Sequence, residues 1–160
     1  MTESTREDTD IAWLTRAIEL SRLCPPSDAA YSVGAIIVAA DGRELSRGHS
    51  RQGGDPHVHA EEAALAALDP GHPALRDATL YSTLEPCSRR ASRPRPCARL
   101  ILASGIRRVV IAWREPGTFV ENCVGVELLR EAGITVVETP ALAAAARAVN
   151  AHLTGPAANP

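Results

Sequence analysis

A three-layer α/β sandwich, with a mixed five-stranded sheet between helices, is the fold class this sequence predicts. Three observations predict it: an apolar run turned back at Asp41-Gly42, a later alternation of strands and helices, and glycines where helices should stop. Strands separated by helices favour a sheet covered on both faces. Residues 1–9 are polar and acidic and read as a disordered tail, and 154–160 (TGPAANP) as a flexible one, around a single domain over 10–153. Asp10 is placed to cap a first helix, Ile11 to Leu23, whose Ile11, Leu14, Ala17 and Ile18 share one face. Pro25 and Pro26 stop it. Val33 to Ala40 is a continuous apolar run ending in a strong hairpin signal, so Glu44 to His49 should return antiparallel. A polar, glycine-rich loop, Arg51 to Pro56, leads into a second helix, His59 to Leu68. The alternation then runs strand Thr79–Leu84, helix Cys97–Ser104, strand Arg108–Ala112, helix Val124–Ala132, strand Ile134–Val137 and helix Ala141–Leu153. Gly105, Gly133 and Gly155 each follow a helix, where a left-handed residue is wanted. Ligands in such sheets sit at the carboxyl ends of strands, against helix N-termini.

At 160 residues the chain suffices for one domain with a buried core. No apolar run approaches the roughly 20 residues that span a bilayer, and the N-terminus has no secretory core, so the expected compartment is the cytoplasm. In that reducing setting the four cysteines read as free thiols or metal ligands rather than as two disulfides. All 17 basic residues are arginine, a bias that weakens any argument from arginine over lysine, but their placement is informative. Eight fall between Pro86 and Arg114 with no acidic residue among them, whereas the rest of the chain sets nine against 19 acids.

Two segments fall where a site is expected. His57-Val-His59-Ala-Glu61-Glu62 opens a helix; Glu85-Pro86-Cys87 ends a strand, and Cys97 starts the next helix. One imidazole and two thiolates, from His59, Cys87 and Cys97, make a charge-neutral site for Zn²⁺ and leave a fourth tetrahedral position to an acidified water. Glu61, two residues after His59 and not itself a ligand, is placed to carry the proton from water to a leaving amine. Each signal alone is weak, but together they match the H-x-E…P-C…C pattern of zinc deaminases. His57 is the weaker of the two histidines, because the Ala-Glu that follows suits His59.

The segment Ala78–Ser88 (ATLYSTLEPCS), with Pro96-Cys97-Ala98, Ala103–Ala112 and Val33–Gly42, resembles the cytidine deaminase-like superfamily. Within it, the nearest branch is the pyrimidine deaminase of riboflavin biosynthesis. The likeness runs from about Ile11 to Val137. It implies an αβα sandwich, one catalytic zinc per subunit, a homodimer or higher homo-oligomer, and a substrate ring contacted by the backbone at Ala60. It also implies a sugar- or base-contacting residue at His49 or Ser50. The sequence differs from that branch at several places: Ala30-Tyr31-Ser32 where Asn-Pro is usual, Ala63 and Arg89 where histidines are usual, and Glu115-Pro116-Gly117 for Asp-Pro-Asn. The loop between the cysteines is one residue longer, and no reductase domain is expected to follow.

The reading is a hydrolytic zinc deaminase of a small aminopyrimidine, carried as its ribosyl phosphate. The alternatives are cytosine, cytidine, dCMP, guanine or a specialised-metabolite intermediate as substrate, and a non-catalytic zinc module. In the loop Ser88–Arg99, Arg89, Arg90 and Arg93 are the candidates for binding a phosphate. A nucleic-acid substrate is disfavoured, because aromatic residues make up 3% of the chain and none lies in that loop to stack on bases.

Overall fold

The hairpin expected at Asp41-Gly42 forms: β1 (Gly34–Val38) and β2 (Glu44–His49) pair antiparallel, with Gly42 at φ 85°. The computed structural model describes residues 2–117, 119 and 122–154. β3 (Thr79–Ser82) pairs antiparallel with β1, and β4 (Arg108–Ile111) and β5 (Thr135–Glu138) follow parallel, giving the order β2-β1-β3-β4-β5. The mixed five-stranded sheet is the one the sequence pattern predicts.

Successive strand residues face opposite layers. Ala35, Ile37, Leu80, Val109 and Ile111 pack with Ala60 and Ala64 of α2 (Ala60–Ala66), Ala98 and Ile101 of α3 (Cys97–Ser104), and Val126 and Leu129 of α4 (Gly125–Glu131). On the other face Ile36, Val38, Tyr81 and Val110 meet Leu14, Ala17 and Ile18 of α1 (Glu3–Ser21) and Ala146 of α5 (Ala143–Ala148). A strand such as β1, buried at all its positions, suits a sheet with both faces covered. α2 lies directly on β2, because a Cβ on Gly48 would sit 2.5 Å from the Ala60 carbonyl oxygen. Gly48 pairs with Ala35, and Ala35 with Ser82, so the start of α2 and the end of β3 share one end of the sheet.

Two expectations are corrected. The first helix starts at Glu3, with Thr2 accepting the Thr5 N–H at 3.4 Å, so residues 3–9 are helical and Asp10 is not the cap. No proline or glycine interrupts 3–9, and the helix continues outward from its packed half. Asp10 is instead buried in mid-helix: its carboxylate accepts the Tyr81 hydroxyl at 2.9 Å and two Arg108 N–H groups at 2.8 and 2.5 Å. The C-terminal helix is split into a 3₁₀ turn (Pro140–Leu142), α5 and α6 (Ala151–Thr154). The break falls at Asn150, whose buried amide pairs with the Ser32 backbone: Oδ1 accepts its N–H at 2.6 Å and Nδ2 donates to its carbonyl at 3.1 Å. Residues 155–160 of the expected tail, Gly155 included, lie outside the described residues. Among the described residues no helix is long and apolar enough to cross a membrane.

Removing the Asp10 carboxylate leaves Arg108 without its bidentate partner. Asp10→Ala should therefore lower unfolding stability by about 3 kcal/mol. Urea denaturation checks this; an unchanged midpoint would show that the pair contributes nothing.

Candidate active site

Beyond β3 the chain passes through Leu84-Glu85-Pro86 to Cys87, and this turn is held from several directions. The Glu85 N–H donates to the Trp113 carbonyl at 2.8 Å. Its buried carboxylate accepts the N–H groups of Glu115 at 3.1 Å and Val126 at 2.9 Å, tying the turn to α4. The Pro86 carbonyl lies against Gly125, where a Cβ would fall 1.9 Å from its oxygen, so only glycine fits. From the other side the first N–H groups of α3 arrive: Cys97 N–H donates to Cys87 Sγ at 3.2 Å and Ala98 N–H to the Cys87 carbonyl at 3.1 Å. His59 sits at the N-cap of α2, with its N–H donated to the Glu62 carboxylate at 3.4 Å.

These three anchors bring the ligand atoms of His59, Cys87 and Cys97 within 4.8 Å of one another. His59 Nδ1 lies 3.6 Å from Cys87 Sγ and 3.4 Å from Cys97 Sγ. Zinc bonds of about 2.3 Å to sulfur and about 2.0 Å to nitrogen, at a tetrahedral angle, put N and S about 3.5 Å apart. The donor set and its spacing fit zinc. The hydrogen bond with Cys97 is the main reason the Cys87 thiol is pulled down to about 4, with His59 adding to it; the same contact, with burial, pushes the Cys97 thiol up. All four cysteines are free, as expected.

A cleft of about 540 Å³ opens over this corner, walled by His59, Ala60, Glu61 and Cys87, with Tyr31 and Phe119 also lining it. Glu61 is 4% exposed, and burial raises its pKa against the opposing pull of His59. Ser82 Oγ lies 2.8 Å from Glu61 Oε1 and 2.9 Å from the Leu84 carbonyl, so its one hydroxyl proton has two acceptors in reach. Glu115 shares the cleft; burial first, then the charges of Cys87, Glu61 and Glu85, push it up to about 8.

The other candidates divide. Arg89 is exposed on the cleft wall, with no hydrogen bond or ion pair among the described residues. The Arg90 side chain is 3% exposed and donates from Nη2 to the Glu62 carboxylate at 3.0 Å and to the His57 carbonyl. Its Nη1 is buried without a partner among the described residues. Arg93 is off the cleft, paired with Asp55 and, at 3.3 Å, with Glu62. Ser50 lines the cleft, but its hydroxyl accepts the Val33 N–H at 2.9 Å; His49 lies outside the lining, with Nδ1 3.0 Å from the Ser50 carbonyl.

The sequence pattern does not single out Tyr31, Arg51, Ser82 or Glu85 as site residues. Arg51 is held at φ 59°, a conformation uncommon away from glycine, and its guanidinium binds the carbonyls of Pro25 and Tyr31 and the Ser32 hydroxyl. Glu85, next to Pro86-Cys87, is the one a motif reading could have singled out.

A family model described as "Cytidine and deoxycytidylate deaminase zinc-binding region" matches residues 7–113. Over 128 residues the chain is 40% identical to a diaminohydroxyphosphoribosylamino-pyrimidine deaminase of Schizosaccharomyces pombe, covering 79% of this chain and 31% of that protein. A protein of the same name from Buchnera aphidicola is 34% identical over 128 residues, covering 79% of this chain and 82% of its own length. The crystal structure of a diaminohydroxyphosphoribosylaminopyrimidine deaminase/5-amino-6-(5-phosphoribosylamino)uracil reductase from Thermotoga maritima superposes with a TM-score of 0.74 at 35% identity. It covers 93% of this chain and 41% of that one. The chain thus spans about a third of the fission-yeast relative.

Purified protein should carry about one zinc per chain, and Cys97→Ala less than about a tenth of that. Elemental analysis after gel filtration reads both. Equal zinc in the variant would remove the triad as the binding site.

Proposed function

The chain belongs to the cytidine and deoxycytidylate deaminase zinc-binding family, and on that premise we propose that it is a hydrolytic deaminase of a small aminopyrimidine carried as its ribosyl phosphate. The observation that carries this reading is a buried carboxyl, Glu61, on the cleft wall two residues from His59 of the His/Cys/Cys group. A structural zinc site has no need of it. The names of the relatives support the substrate class.

Zinc held by His59, Cys87 and Cys97 would acidify an attacking water and steady the charge developing on its oxygen. The remaining work falls to the chain. Glu61 accepts a proton from the water as its oxygen bonds the amine-bearing ring carbon, and delivers that proton to the adjacent ring nitrogen. It then takes the proton of the new hydroxyl to the amine; the C–N bond breaks, ammonia leaves and a carbonyl remains. The raised pKa produced by burial suits a carboxyl that must hold a proton between these transfers. Ser82 serves both states: it donates to the ionised carboxylate, and it accepts from the protonated acid while donating to the Leu84 carbonyl.

The Ala60 backbone, on the wall at the start of α2, is assigned to the ring, and Ser50 to the same wall as a spacer rather than a donor. Arg89 and the unpartnered Nη1 of Arg90 are assigned to the phosphate; Arg93 and His49 are not retained as substrate contacts. A cytoplasmic homo-oligomer is part of the same reading, following from the family resemblance rather than from any contact in this chain.

Ammonia release measured over aminopyrimidine and purine bases, nucleosides and monophosphates tests the reading. Glu61→Gln should keep its zinc and lose about 10³-fold in turnover; full activity would end that assignment. Arg89→Ala should raise KM for monophosphates about 10-fold or more and leave unphosphorylated substrates unchanged. Activity confined to free bases would eliminate the phosphate reading.

A further inference from the structure

Tyr31 stands on the cleft wall in a segment, Pro25 to Val33, that the proposed chemistry does not use. Its side chain is nearly fully buried, at 6% exposure, yet its hydroxyl has no hydrogen-bond partner among the described residues. Buried hydroxyls nearly always have one, so an orphan on a cleft wall needs a reason. Its ring is fixed on two sides, edge-on to Trp113 at 5.3 Å and to Phe119 at 5.0 Å. Its backbone is fixed as well: Arg51 Nη1 donates to the Tyr31 carbonyl at 3.1 Å, and the Asn150 amide grips the next residue, Ser32, through both N–H and carbonyl. The phenol therefore cannot turn away to find a partner at little cost, and the residue that carries it lines the cleft.

We propose that the Tyr31 hydroxyl is a substrate-reading group, making a hydrogen bond to an uncharged oxygen or nitrogen of the bound aminopyrimidine nucleotide, away from the His59/Cys87/Cys97 corner. The identity of that nucleotide rests on the function proposed above; the role of the hydroxyl does not. A hydroxyl donates and accepts, so it suits a ring carbonyl, a ring nitrogen or a sugar hydroxyl alike. The phosphate has its own partners in Arg89 and Arg90. A site whose buried polar group is completed only by ligand discriminates strongly against analogues lacking the matching atom. Arg51 acts through Tyr31 and is a positioning residue.

Tyr31→Phe, which deletes one oxygen, is the test, read in two arms. In the first, thermal unfolding of the zinc-loaded protein without substrate should show Tm unchanged or raised by a few degrees, roughly 2–4 °C, because an unsatisfied buried hydroxyl has been removed. A fall in Tm would mean that the hydroxyl has a structural partner, and would overturn the proposal whatever the substrate proves to be. In the second, ammonia release from the best wild-type substrate should show KM raised about 5- to 10-fold with kcat within about 2-fold. An effect on nucleosides and monophosphates only places the contact on the sugar, and an effect on free bases too places it on the ring; unchanged KM across the panel overturns the proposal. A wild-type enzyme inactive on the whole panel counts against the proposed function alone. Tyr31 then stands or falls on the first arm.

Discussion

Acid density at one end of the sheet sets the terms for what surrounds it. Glu61, Glu85, Cys87 and Cys97 are all buried there, and Glu115 lines the same cleft. A low-dielectric corner cannot hold so many anions at once, and the groups respond by keeping protons: burial raises Glu61 and Glu115, the hydrogen bond with Cys87 and then burial raise Cys97, and Cys87 is drawn toward thiolate by the same hydrogen bond. The backbone meets part of the demand, since the Glu85 carboxylate accepts two N–H groups and Cys87 Sγ accepts a third. A divalent cation is the compact way to neutralise two thiolates in such a place, and neutralising them leaves Glu61 free to gain and lose a proton.

Positive charge follows a different logic from the one its sequence distribution suggests. Eight arginines without an acid between Pro86 and Arg114 look like a field for an anion. In the fold, acids from elsewhere in the chain meet half of them. Glu62 and Asp55 hold Arg90 and Arg93, Asp10 holds Arg108, and Glu127 and Glu138 hold Arg114. The asymmetry along the chain thus becomes a set of cross-links between distant segments. The half-exposed pairs of Arg114 add little stability, whereas the buried Arg90 guanidinium fixes the loop between the cysteines against α2. Of these eight, Arg89 is the one on the cleft wall that has no ion pair among the described residues.

This contrast explains what could be read from the sequence. The sheet, its hairpin and the start of α3 were legible because turn chemistry, apolar runs and helix starts are local. The grouping of His59, Cys87 and Cys97, with Glu61 beside them, is legible because each segment is short and sits at a strand or helix end. Nothing local marks the Asp10–Arg108 pair, so a polar residue before an apolar stripe reads as a cap, eight residues beyond the observed one at Thr2. The Asn150 break was hidden in the same way, because its partner Ser32 lies 118 residues away. Nor does the sequence separate Arg93 from Arg89: they differ in their partners, not in their neighbours.

Two kinds of wall therefore meet in the cleft. The chemical corner belongs to the ends of β3, α2 and α3, where close approaches at Gly48 and Gly125 leave no slack in the backbone. The facing wall is made of loops, 25–33, 88–96 and 113–117 together with Phe119, carried by that scaffold. Loops are usually where precision is lost, yet here Arg51, Asn150 and Glu85 each tie a loop to the scaffold with buried, multiply bonded side chains. Such ties make no contact with the metal group, so they are better understood as holding the reading wall still than as serving bond cleavage. Of the places where this chain differs from the riboflavin branch, Tyr31, Arg89 and Glu115 lie on that wall, whereas Ala63 lies in α2. Discrimination between substrates depends on contacts around the ring and sugar while the attack on an amine-bearing carbon is shared, so a substrate preference is set on a wall of this kind rather than at the corner.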